Sequence, residues 1–245
     1  MRLVDPRPAL VLAYHGVGSP PADDRWGLLI EPERLRGHVV ALKRLGYRFV
    51  TAEQLVDECR GGPVRHATAA LTFDDGWLDG LTVATPLLTE LGVPATFYVN
   101  PGSWGAVHHD VGAPAGQLLD RAQTRILAEL GMAIGAHGMT HVDLRGVDDA
   151  ELRTDLRRCR SEIEAATSRP CRTFAYPYGA WDERVEAAVA AAGYALAFAW
   201  ETGPWRPFAA PRLPVGVRHG AVRLILAAAG VRRRRTVGPP PPLSR

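Results

Sequence analysis

Short apolar runs of four to seven residues alternate along the chain with stretches whose apolar positions recur every three or four residues. The runs are LVLAY (10–14), YRFV (47–50), AALTF (69–73), ATFYV (95–99), MAIGA (132–136), TFAY (173–176) and YALAFAW (194–200). Continuous rather than alternating hydrophobicity predicts strands covered on both faces, the habit of parallel sheets. The helical-period stretches cover 32–45, 52–60, 79–91, 118–130, 149–167 and 182–192. Gly92 and Gly131 close two of them as C-caps, and VDDAEL opens another, with Asp148 as N-cap and Glu151 placed to reach back. About seven alternations of strand and helix imply an α/β fold with a parallel sheet. With no dinucleotide-type glycine loop in the sequence, a closed barrel is expected over an open doubly wound sheet. Residues 1–230 read as one unit, in which 100–117 is a loop, and 231–245 as an Arg/Pro-rich disordered tail.

Composition narrows the class without naming a chemistry. Apolar residues at 47% and charged residues at 22% of 245 are globular values, which excludes a disordered chain and a membrane protein. The net charge is +3, but Arg232, Arg233, Arg234 and Arg235 concentrate four positive charges in the tail. The remainder is near neutral, and no nucleic-acid partner is expected. Cys59, Cys159 and Cys171 are odd in number and dispersed, which speaks against both a disulfide framework and a cysteine zinc site. The apolar stretch near the start is about six residues, short of a signal-peptide core or a membrane span, so a cytoplasmic location is expected. The sequence leaves the oligomeric state open.

The candidate chemistry collects at strand ends. In a parallel barrel every strand delivers its last residues to one face. That rule groups His15 after LVLAY, Asp74 and Asp75 after AALTF, His137 after MAIGA, and Pro177-Tyr178-Gly179 after TFAY. In HGMTH, His137 and His141 are four apart, and a helical turn would bring their Cβ atoms to about 5–6 Å. Two imidazoles and one carboxylate suit zinc and leave positions open for water, as in catalytic sites. Two adjacent carboxylates then make sense: one ligates and its neighbour takes protons, with the two aspartates interchangeable at this level. Lowering the pKa of water from 15.7 to about 7 is worth on the order of 12 kcal/mol. Alone, an acidic pair before glycine is a turn signature and two histidines at this spacing are incidental; together, on one predicted face, they point to a metal site.

TFDDG, HGMTH and FAYPYG, in that order, resemble the polysaccharide deacetylases of carbohydrate esterase family four, the nodulation-protein-B homology domain, and within it the subgroup whose third motif reads FAYPYG. The resemblance spans about residues 9–217 and takes in AYHGV and LPV. It implies a distorted (β/α)7 TIM-like barrel and a hydrolase that removes acetyl groups from N-acetylated sugars with zinc or a similar ion such as Co2+, Ni2+ or Mn2+. Asp74 then matches the general base, Asp75, His137 and His141 the metal ligands, and the backbone N–H of Tyr178, held by Pro177 and Gly179, the donor to the acetamide oxygen.

Two departures stand out. The arginine that many members carry two places before the third-motif proline is here Ala175, and Arg212 is the expected substitute, holding Asp74 ionised. The family's C-terminal histidine has only a weak counterpart in His219, which leaves His15 as the alternative proton donor. Trp104, in the loop after ATFYV, is the expected sugar platform, whereas His108 and His109 in that loop read as solvated. The expected partner is an acetamido-sugar glycan. The alternatives are another amide hydrolase, such as one opening a cyclic ureide or imide, and a glycan-binding relative without the chemistry.

Overall fold

A computed structural model describes residues 9–61, 67–108, 113–200 and 205–216. His109, His219 and the tail 231–245 lie outside these residues. All seven expected strands are present: β1 (Ala9–Tyr14), β2 (Arg48–Val50), β3 (Thr68–Phe73), β4 (Thr96–Val99), β5 (Ala133–Ala136), β6 (Thr173–Ala175) and β7 (Leu196–Ala199). Two further pieces, β8 (Ala210–Pro211) and β9 (Leu213–Pro214), were not expected. Every pairing in this sheet is parallel, in the order β8-β7-β6-β5-β4-β3-β1-β9. β1 runs along the whole of one edge of β3, so β2 and β4 divide the other, β2 beside Thr68 to Ala70 and β4 beside Thr72 and Phe73.

The segment 210–214 nearly closes the ring. On one side Ala210 and Pro211 pair with Phe198 and Ala199, and on the other Leu213 and Pro214 pair with Leu12 and Ala13. Pro211 and Pro214 lack the amide hydrogen a ladder needs, which keeps both pairings short. The result is a nearly closed parallel α/β barrel in one domain, with eight strands on the path round the ring and β2 beside β3 as the ninth strand of the sheet.

The helices α1 (Pro32–Arg44), α2 (Ala52–Gly61), α3 (Thr85–Glu90), α4 (Arg121–Glu129), α5 (Asp149–Thr167) and α6 (Glu183–Ala191) follow the expected stretches. Asp148 caps α5 through the amides of Ala150 and Glu151, and a reciprocal capping box forms at α4, between Asp120 and Gln123. A π-helical turn, Gly80–Ala84, precedes α3. Ala52, Leu55, Val56 and Cys59 of α2 join the cluster of Val11, Ala70, Tyr98, Ala175 and Phe198, so α2 plugs the barrel at the end where its strands begin. Gly135 is required inside: a Cβ there would stand 2.2 Å from the Tyr98 ring. All three cysteines are buried, and no helix among the described residues is long and apolar enough to cross a membrane.

Candidate active site

Asp74 leaves β3 still facing the barrel interior, the face Thr72 shares. It is 1% exposed, and its amide donates to the Tyr14 carbonyl. Its two oxygens receive Nη1 and Nη2 of Arg212 at 2.7 Å each, and Nη1 also donates to Thr72 Oγ1 at 3.1 Å. Arg212 lies at the midpoint of the closing segment, 2% exposed, with its guanidinium 5.6 and 5.8 Å from the ring centroids of Tyr98 and Phe198. Burial alone would raise the Asp74 pKa, but Arg212, with His137 and His15, outweighs it and holds the carboxyl below its ordinary value.

Asp75 departs from the strand. Its φ of 69° and the 72° of Gly76 make a left-handed turn that swings the second carboxylate to a different set of partners. Oδ1 faces His137 Nε2 at 3.3 Å and His141 Nε2 at 3.2 Å. His137 Nδ1 lies 2.7 Å from the Ala175 carbonyl oxygen, which can only accept, so in the neutral ring Nδ1 carries the proton and Nε2 turns a lone pair to Asp75. Oδ1 is thus a buried oxygen without a hydrogen-bond partner, facing the Nε2 atoms of two histidines. The donor set fits a cation, because two donors on a tetrahedral ion at about 2.0 Å lie about 3.3 Å apart. The three residues offer atoms all within 4.8 Å of one another. Burial opposes ionisation of Asp75, but His141, His137 and His15 outweigh it and hold it well below the usual carboxylate range.

His137 and His141 meet with ring centroids 4.9 Å apart, although not on the helical turn that their spacing suggested. Gly138 and His141 have φ of 75° and 56°, and the turn is pinned from outside. Asn100 Nδ2 donates to the carbonyls of His137 and Gly138, and Asp155 accepts from the Met139 amide. The third motif makes a tight turn in which Tyr178 has φ 57° and its ring lies 4.5 Å from that of His141. Of the four described non-glycine residues with left-handed φ, Asp75, His141 and Tyr178 are in this site, the clustering expected where geometry is held for function.

His15 is buried edge-on to Trp200 at 5.7 Å. Burial lowers its pKa, against the pull of Asp75 and Asp74. Pro177 is buried, and Trp104 is half-buried with the Arg121 guanidinium 5.9 Å over its ring. Sequence reasoning missed His108. Residues 100–117 contain a short antiparallel pair, Val107–His108 with Gly116–Gln117, which turns His108 inward, 7% exposed and with Nε2 3.6 Å from Asp75 Oδ2. The available signal was position: its loop leaves β4 on the same face as the other site residues.

The sequence profile of the polysaccharide deacetylases matches residues 61–197, more than half of the chain. The chain belongs to the polysaccharide deacetylase family. The Bacillus subtilis protein YxkH, whose name assigns it to the same family, is 23% identical over 194 residues, 79% of this chain and 64% of that protein. The match thus spans just under two thirds of that relative. A chitooligosaccharide deacetylase of Bradyrhizobium is 33% identical over 167 residues, covering 63% of this chain and 68% of that one. The Streptococcus pyogenes deacetylase PplD, solved in complex with acetate, shares the fold with a TM-score of 0.76 at 20% identity, over 89% of this chain and 96% of that one.

Proposed function

We propose that the protein removes the N-acetyl group from an acetamido sugar, of the N-acetylglucosamine type, in a polysaccharide, oligosaccharide or glycoconjugate. In this reading Asp75, His137 and His141 hold a divalent cation, zinc or a similar ion. The observation that carries it is the buried Oδ1 of Asp75, faced by two imidazole Nε2 atoms, next to a second carboxylate clamped by an arginine. When bound, such an ion supplies Lewis acidity toward the acetamide oxygen and toward water.

The side chains divide the remaining work. Arg212 keeps Asp74 ionised while occupying one lone pair on each oxygen, which leaves a lone pair to take a proton from the attacking water. The Tyr178 amide, set by its left-handed turn, donates to the acetamide oxygen as charge builds there. His15 delivers a proton to the departing amine, and Pro177 and Trp104 flank the sugar. The Arg212–Asp74 pair also weighs against a glycan-binding relative without chemistry, because the role left vacant at Ala175 has an occupant.

The test is acetate release from N-acetylglucosamine oligosaccharides, before and after chelation and on adding zinc back. Release that is lost with the ion and restored by it is expected. Ring opening of a cyclic ureide or imide with no acetate from any amino sugar would replace this reading with the other amide hydrolase.

A further inference from the structure

We propose that His108 is a positioning residue for the cation site: the hairpin that carries it holds the Oδ2 edge of Asp75, beside the Trp77 indole, so that Oδ1 stays turned to His137 and His141. The inference rests on the reading that those three residues bind a cation. Oδ2 receives Trp77 Nε1 at 3.2 Å and has His108 Nε2 at 3.6 Å, while the two other imidazoles address Oδ1. His108 is not among the three residues whose donor atoms all lie within 4.8 Å of one another; its ring centroid is 6.3 Å from that of His141, and its Nε2 faces the other oxygen of Asp75.

The hairpin is built to hold this position. Leu119 donates its amide to the Gly76 carbonyl, Gly105 donates to Leu119, Leu118 donates to Ala106, and Trp77 and Leu118 form a β-bridge. Gln117 Nε2 donates to the carbonyls of Gly105 and Ala106. Gly116 packs so tightly on the indole that a Cβ would stand 2.2 Å from it, and the His108 ring lies 4.8 Å from the same indole. Its neighbour Val107 is 42% exposed, so the two-residue strand presents its imidazole inward and its apolar side chain outward. An outer partner that fixes a ligand's orientation typically changes metal affinity about 10–100-fold when removed.

The experiment measures zinc affinity by competition with a chromophoric chelator, together with the visible spectrum of the Co2+-loaded protein, for the unsubstituted chain, His108→Phe and His108→Gln. Expected are about 10–100-fold weaker zinc binding in His108→Phe, unchanged cobalt band positions, and recovery in His108→Gln, which returns a polar side chain to the Oδ2 edge. Zinc affinity within twofold of the unsubstituted chain in His108→Phe overturns the inference and leaves the cation site standing. A changed cobalt spectrum also overturns it, making His108 a ligand. No zinc binding by the unsubstituted chain removes both the inference and the cation reading. Should His108→Phe not fold, His108→Asn, polar but shorter, carries the same expectation and the same refutation.

Discussion

Arg212 grips both oxygens of Asp74 at 2.7 Å across 138 residues of chain. Replacing it with methionine leaves a buried carboxylate unpaired, which costs about 3–5 kcal/mol of stability as measured by urea unfolding. Burial of Asp74 is then opposed only by His137 and His15, so the acid limb of the pH–rate profile moves to higher pH and kcat/KM falls on the order of a hundredfold at neutral pH. The linkage has a defined sign. Because the folded pKa lies below the ordinary 3.8, the pair's stabilisation is present above that value and is lost as pH falls through the folded one. Arg212→Met removes that acid-side dependence, and an unshifted limb would show that another group ionises Asp74.

His15 gives a second pH signature. Burial lowers its pKa below 6.5 despite the nearby carboxylates, and a bound cation would lower it further. If it protonates the amine, kcat/KM declines on the alkaline side with an apparent pKa under 6.5, and His15→Asn abolishes that limb while zinc affinity holds. A limb preserved in His15→Asn would assign the donor role elsewhere.

Gly179→Ala tests the third-motif turn. Gly179 has φ 63°, and a Cβ there would stand 2.6–2.8 Å from Trp200, backbone included. The substitution should cost on the order of 1–3 kcal/mol and lower kcat more than it raises KM, since the displaced Tyr178 amide serves the transition state. Thermal unfolding and steady-state kinetics read both effects, and a mainly KM change would remove Tyr178 from the oxyanion role.

Glu53 makes a prediction at the opposite end of the barrel. It lies in the first turn of α2, in a cleft of 370 Å³ that it shares with Arg169 and Arg172. Burial raises its pKa to about 7, although both arginines pull it down. A raised folded pKa means its contribution is intact below the ordinary 4.5 and is lost as pH climbs through about 7. The loss is about 3 kcal/mol at most, at 1.36 kcal/mol per unit. Stability curves recorded from pH 4 to 9 should lose this alkaline decline in Glu53→Gln, and a decline that persists would show that Glu53 titrates normally.

The seven first strands were legible because parallel strands buried on both faces read as unbroken apolar runs, a signal Leu10–Tyr14 and Ala69–Phe73 carry strongly. The closing segment was not, since Ala210-Pro211-Arg212-Leu213-Pro214 interleaves two prolines and a charge, the opposite of a strand pattern. Asp74, Asp75, His137 and His141 come together because each follows such a run, so strand ends alone brought them to one face. Their fine geometry was out of reach: the left-handed φ of Asp75, Gly138 and His141 turns the chain where spacing suggested a helix. His108 was hidden for a related reason. Its inward direction comes from a hairpin docked on Trp77, a tertiary contact that its neighbours in sequence do not announce.

Residues 210–214 both complete the ring and carry the arginine that pairs with Asp74. Sealing the barrel and charging its interior carboxylate therefore fall to the same five residues.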